Sequence, residues 1–400
     1  MRAASFRRLW SLDPAVTFLN HGSFGACPIQ VLEAQSEIRA RLERQPVRFF
    51  LREYEPLINE ARAAVAALVG ADADDLAFVV NATAGVNTVL RSLDLSPGDE
   101  LLTTDHAYNA CRNALEYVAQ RAGARVVVAA IPFPIEGPES VVEAVLARVT
   151  ARTRLALLDH ITSPTALVFP IDRLVSELAA RGVDTLVDAA HAPGMVPLDL
   201  RTTGAAFTTG NFHKWLCAPK GAAFLHVRRD RQTLVRPLSI SHGANALRAD
   251  RSRFRLEFDW TGTEDPSAAL TVPAAIRFLE GLLPGGLSEL MAENKKAALA
   301  ARQAICAAVG TAPPCPDAMV GSMAAVILPG PAAPLTAEQP FDPLQDALFT
   351  QFKIEIPVFP WAPPVWRVLR VATPIYTGAA EINVLTAALR TLSVGDLSRS

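Results

Sequence analysis

The chemistry in this chain begins with a lysine. Lys214, in NFHKWL, follows a strand-like run of small residues and has Phe212, Trp215 and Leu216 as neighbours. An apolar site disfavours an ammonium ion and lowers its pKa, which turns a lysine into an amine nucleophile able to form a Schiff base. A lysine at a strand end can also snorkel, its stem buried and its head in water. Only five of the 38 basic residues are lysines, at 214, 220, 295, 296 and 353. The chain uses arginine for its surface, so a lysine among apolar residues carries weight. Lys220, the rival in APKGAAF, reads as an exposed turn. Asp188 closes the apolar run of LVDAAHAPG. An unpaired carboxylate in such a place is costly, so it calls for a cation. A protonated ring nitrogen would serve, since an anion beside it makes the ring an electron sink. A helix cap or an arginine pair would serve as well. His191, three residues on, could stack on such a ring or hydrogen-bond to a substituent.

VVNATAGVN adds a third feature. Asn81, Ala82, Thr83 and Ala84 lie between a strand-like and a helix-like run, so backbone amides and the Thr83 hydroxyl would form an anion cradle at a helix N-terminus. Plain capping by Asn81 or Thr83 is the alternative. The segment is neither a GxGxxG nor a Walker loop.

Positioning these groups requires a sheet. LAFVV, ELLTT, RVVVAAI, RLALLDHI, DTLVDAA, AAFTTGN and GAAFLHV read as strands, and helix patterns separate most of them, among them TAGVNTVLRSLDL, YNACRNALEYVAQRAG and IDRLVSELAARG. That alternation predicts βαβ units and a largely parallel sheet, and continuously apolar strands predict cover on both faces. Ligands bind at the carboxyl ends of such strands, where all three motifs lie. Residues 1–55 read as irregular. From about residue 266 the texture changes: SAALTVPAAIRFLEGLL and LSELMAENKKAALAARQAICAAVG read as two long helices, PGPAAPLTAEQPFDP as a surface loop, IEIPVF and WRVLRVA as strands, and EINVLTAALRTL as a closing helix.

Composition excludes other classes. With 400 residues, half of them hydrophobic and a fifth charged, the chain is no disordered tail. A net charge of −2 gives no basic field for nucleic acid or a lipid surface. Five scattered cysteines without a C-x-x-C pair argue for a reducing compartment and against structural zinc. No secretory h-region or bilayer-length apolar run is legible, so a cytoplasmic location is expected.

The anion cradle, the aspartate and the lysine, together with WTGTED, resemble the class V aminotransferase family of fold-type I pyridoxal 5'-phosphate enzymes, and within it the isopenicillin N epimerase-like group. The resemblance runs from FLNHGSFG to RVATPIYTG. It implies an α/β fold with a mostly parallel seven-stranded sheet: an N-terminal arm (1–25), a cofactor-binding large domain (26–265) and a smaller α+β domain (266–400). Lys214 would carry the cofactor and Asp188 would face its ring nitrogen. Asn81, Ala82, Thr83, Asn211 and His213 would hold the phosphate. His191 would lie near the ring oxygen, Thr162 and Ser163 would face the cofactor, and either His106 or Tyr108 would stack on the ring. Gly262 and Thr263 would reach the phosphate of a second copy, making a homodimer with a composite site. Arg370 would bind a substrate carboxylate, Asn20 and His21 would close over the substrate, and Arg48 with Phe49 and Phe50 would line a specificity wall or anchor the arm. Cysteine desulfurases of the family use a mobile cysteine, but GSM has none where it would stand. The implied activity works at the Cα of an amino acid through a carbanion: epimerisation first, C–S lysis or transamination as alternatives. A non-catalytic regulator has no DNA-binding helix pair or basic tail to support it.

Overall fold

The structure is a computed structural model that describes residues 2–331, 336–337, 339–361 and 366–392. Its strands are β1 (Thr17–Phe18), β2 (Leu76–Val79), β3 (Glu100–Thr104), β4 (Arg125–Ala129), β5 (Thr153–Asp159), β6 (Asp184–Asp188), β7 (Phe207–Asn211), β8 (Ala223–Val227), β9 (Met323–Pro331), β10 (Ile354–Glu355), β11 (Val358–Trp361) and β12 (Trp366–Ala372). β2 to β8 form one seven-stranded sheet in the order β2-β8-β7-β6-β5-β3-β4. β8 runs against the other six, whose parallel crossovers pass through helices. All seven strands fall where the apolar runs placed them. β3, β7 and β8 are buried along their whole length, as a sheet covered on both faces requires.

A second, antiparallel sheet, β11-β12-β9, packs against helix Gly286–Val309, which in turn packs against helix Ala379–Thr391. One apolar cluster runs through both sheets, joining Leu102 and Ala156 to Met323, Val326 and Val368. β1 pairs in parallel with β10, which stitches the N-terminal segment to the C-terminal third.

Three readings change. Residues 1–55 are not irregular: Ile29–Arg44 is a 16-residue helix, followed by a π-helical turn, Phe49–Glu53. That helix buries only Val31, Gln35 and Leu42, so its apolar stripe is too thin to show as a period. The pattern at 267–283 is broken into Ser267–Leu270 and Val272–Glu280. Pro273 has no N–H to continue the ladder, and the chain restarts with Thr271 accepting from Ala274 and Ala275. IEIPVF is cut at Pro357: its first half joins β1 and its second half joins β12. Among the described residues no helix is long and apolar enough to cross a membrane.

Candidate active site

The strand ends of the large sheet open on a cavity of about 220 Å³ lined by Asn81, Ala82, Thr83, Tyr108, Asp159, Ser163, Asp188, His191, Asn211, His213 and Lys214, with Ser23 and Phe24 from the N-terminal segment. Residues from four separate sequence motifs therefore meet in one place.

Lys214 is delivered by the turn after β7. Phe212, Trp215 and Leu216 are buried around it, and the turn is closed by the Cys217 N–H to the Lys214 carbonyl (3.1 Å) and the Ala218 N–H to that of Phe212 (3.0 Å). With its apolar neighbours packed into the core, the lysine is left facing the cavity. Its Nζ lies 3.0 Å from His191 Nε2. Burial, with the Arg370 charge nearby, pushes the Lys214 pKa down to about 8. Burial, with Lys214 beside it, holds His191 well below the usual histidine range, so its Nε2 accepts from the lysine. Lys220 stands apart and donates to the Gly25 carbonyl.

Asp188 is the last residue of β6 and lies in register with Asp159, the last of β5. Asp188 Oδ1 accepts from the Ala190 N–H (3.0 Å) and Oδ2 from the Cys111 thiol (3.1 Å). Asp159 receives only a long bond from the Tyr108 N–H (3.4 Å). Burial raises both pKa values, and the Asp188 charge raises that of Asp159 further. Two adjacent buried carboxyls disfavour double ionisation, and of the pair Asp188 has the more donors to favour its charged form.

The cradle lies at the N-terminus of helix Ala82–Ser92. Asn81 Oδ1 caps it by accepting from the Ala84 N–H (2.8 Å), while the Ala82 N–H donates to Asn211 Oδ1 (2.8 Å). Gly85 lets the helix lie against β7, because a Cβ there would sit 2.2 Å from Thr209 Oγ1. The positive end of the helix dipole thus points where an anion would rest.

Arg370, on β12, stands behind this wall and is 1% exposed. Its Nη1 donates to the Ser163 carbonyl (2.8 Å), and its Nη2 donates to Ser23 Oγ (2.8 Å) and Asn20 Oδ1 (3.4 Å). Its Nε is buried with no partner among the described residues.

The structure does not bring every expected residue to the cavity. His106 is buried elsewhere, bonded to Thr165 (2.7 Å) and edge-on to Trp361, whereas Tyr108 lines the wall. Thr162 turns its hydroxyl to Thr165 and to the Leu167 N–H. His21 has no exposed surface and bonds to Tyr376 and to the Lys214 backbone, so it cannot close over a substrate from there. Arg48 is exposed and paired with Glu53 (2.8 Å), and Phe49 is buried against Phe50, which fits anchoring rather than a wall. Gly262 and Thr263 do not line this cavity. Their neighbours Thr261, Glu264 and Asp265 line a separate cleft of about 440 Å³.

Residues 27–312 match the family model of aminotransferase class-V. The chain belongs to that family. Isopenicillin N epimerase of Amycolatopsis lactamdurans is 37% identical over 98% of this chain and 98% of its own. Putative L-cysteine desulfhydrase 2 of Oryza sativa subsp. japonica is 34% identical over 87% of this chain and 74% of its own. Among solved structures, the cystine C-S lyase C-DES, in complex with its product cysteine persulfide, superposes with a TM-score of 0.78 at 21% identity, covering 96% of this chain and 98% of that one. The class V fold is thus the fold-type I α/β architecture.

The class V site fits a phosphate-bearing pyridine aldehyde. It offers an amine at its base, an anionic carboxylate at the buried end and a helix N-terminus at the other. The Nδ1 atoms of His191 and His213 are buried without a protein partner among the described residues. Sequence reading missed Asp159, Cys111, Ser23 and Tyr376. Asp159 carried the same signal as Asp188, a carboxylate at the end of an apolar strand.

Proposed function

We propose that this class V enzyme uses pyridoxal 5'-phosphate to act at the Cα of an amino acid, and that its reaction is epimerisation. The observation that carries this reading is Lys214: a half-buried lysine whose amine, pKa about 8, has His191 on its head and Asp188 and Asn81–Thr83 around it. Lys214 Nζ would hold the cofactor. As a free amine it would take the Cα proton of the substrate, and its depressed pKa suits it to act as a base near neutrality. His191 Nε2 fixes the direction of the Nζ lone pair by accepting one N–H. The bound cofactor supplies an electron sink for the pair left at Cα. Asp188 would serve as the carboxylate partner of the ring nitrogen and keep that sink effective. Ser163, His191, Asn211 and His213 would orient the group, and the helix N-terminus at Asn81–Thr83, with the Thr83 hydroxyl, would receive its phosphate. Arg370 fits a substrate carboxylate. Tyr108, a phenol on the cavity wall, is the acid available for the opposite face. Relatives matched from end to end support epimerisation, at 37% and 35% identity.

C–S lysis is the second reading, favoured by the desulfhydrase relatives at 34% and 31% identity. All five cysteines are buried and none lines the cavity, which leaves no thiol for a persulfide route. The working form we propose is a homodimer in which Gly262 and Thr263 reach the cradle of the second copy. Borohydride reduction of the cofactor-loaded protein should mark the NFHKW peptide. Amino acids and cysteine conjugates should then be incubated in deuterated water. Deuterium in the opposite enantiomer is the epimerase outcome. Ammonia and a keto acid, with no inverted product from any amino acid tried, would transfer the assignment to the lyase.

A further inference from the structure

The N-terminal segment was expected to touch a substrate, yet its histidine faces the other way. His21 has no exposed surface. Its Nε2 lies 3.0 Å from the Lys214 carbonyl and its Nδ1 lies 2.6 Å from the Tyr376 hydroxyl. A carbonyl only accepts, so Nε2 carries the proton, and Nδ1 must accept from Tyr376. Burial pushes the His21 pKa down to about 4, which keeps the ring neutral and the bond direction single. The Tyr376 hydroxyl is buried as well. The ring is packed 4.9 Å from that of Trp215.

The same short segment holds the substrate side of the site. Ser23 Oγ donates to Asn20 Oδ1 (2.6 Å), and both oxygens accept from Arg370 Nη2. At its end Gly25, φ 68°, lies so close to the lysine loop that a Cβ would fall 1.8 Å from the His213 carbonyl oxygen. Asn20–Gly25 is therefore wedged between the Arg370 guanidinium and two consecutive main-chain units of the lysine loop. A carboxylate reaching Nη2 must compete with Ser23.

We propose that His21 is a positioning residue for Lys214, and that Asn20–Gly25 is a staple fixing the lysine backbone relative to Arg370. This rests on the reading that Lys214 carries the cofactor. The chain of bonds is anchored in the C-terminal region by Tyr376, so the height of the lysine in the cavity is set from outside its own loop.

The test uses the cofactor-loaded enzyme and three variants: His21→Phe, which keeps volume and loses the donor, His21→Gln, which can restore a donor, and Tyr376→Phe. The readouts are the pH midpoint of the lysine-bound cofactor's absorbance band and the rate at which methoxyamine removes that band. His21→Phe should move the midpoint by about half a unit or more. It should also slow the methoxyamine reaction by about tenfold, as loss of alignment does. His21→Gln should recover most of both, and Tyr376→Phe should shift both in the same direction by less. Aminooxyacetate adds a carboxylate to the same nucleophile. The ratio of its rate to that of methoxyamine should change in His21→Phe, which frees the lysine side of the staple, and in Ser23→Ala, which frees the Arg370 side. A folded His21→Phe with wild-type midpoint and methoxyamine rate would overturn the proposal. If that variant does not fold, wild-type values of both readouts in Tyr376→Phe overturn it equally. Borohydride marking of a lysine other than Lys214 in the wild type would instead sink the cofactor reading beneath it.

Discussion

At the amino end of the large sheet, Glu100 begins β3 with its side chain fully covered. At the carboxyl end, Asp159 and Asp188 finish β5 and β6 under almost the same cover. Their partners differ. Glu100 accepts from Arg125 (2.5 Å), Arg152 (3.2 Å) and the Thr150 hydroxyl (2.7 Å). Burial would raise its pKa, but these donors outweigh burial and hold it below the usual carboxylate range. Asp188 has one backbone amide and one thiol, Asp159 has one long amide bond, and both are raised. A covered acid surrounded by arginines is part of the framework. A covered acid left short of donors, in a cavity, is held ready for a cation that arrives with a ligand. Burial alone does not separate the two cases; the partner set does.

The sharpest way to break this comparison is Asp188→Asn. It should retain cofactor and fold, yet lose on the order of a hundredfold in Cα-hydrogen exchange, since a neutral amide cannot hold a ring nitrogen protonated. Retention of exchange within a few-fold, by mass spectrometry in deuterated water, would place Asp188 with Glu100 as a framework acid. Glu100→Gln is the reverse case. Its arginines are more than half exposed, so the expected cost is modest: a melting midpoint lower by a few degrees, with cofactor absorbance unchanged. A changed absorbance would erase the distinction between the two ends. The smallest effect concerns Asp159→Asn in the cofactor-free protein. A carboxyl whose folded pKa is raised destabilises the fold increasingly as pH climbs from its unfolded value, about 3.9, toward the folded one. The variant should match wild type in urea below about pH 4 and exceed it above, with the gap widening with pH. A variant that falls below wild type as pH rises would mean that Asp159 is paired like Glu100.

The sheet was readable because its strands are apolar runs closed by turn residues, a signal that survives without tertiary context. Lys214, Asp188 and Asn81–Thr83 were readable for a related reason: each is a polar residue at the end of such a run. What escaped depends on which side chain fills which space. His21 and His106 have the chemistry of site residues, and nothing local says that Tyr376 or Trp361 takes up their ring edges. Ser23 and Tyr376 gain meaning only through Arg370 and Lys214, far away in sequence. The helix Ile29–Arg44 was hidden because so little of it faces the core.

The pairing of β1 with β10 has a consequence for the making of the chain. Asn20 bonds to Glu355, 335 residues further on, and the Leu19 carbonyl accepts from the Ala372 N–H. During synthesis at about 5–20 residues per second, the first segment must wait well over ten seconds for its partners to emerge. Through that interval the lysine loop and the large sheet exist without the segment that presses on them. The cavity that Ser23 and Phe24 help to line is thus finished last, because until β10 and β12 have emerged the N-terminal segment has nothing to close against.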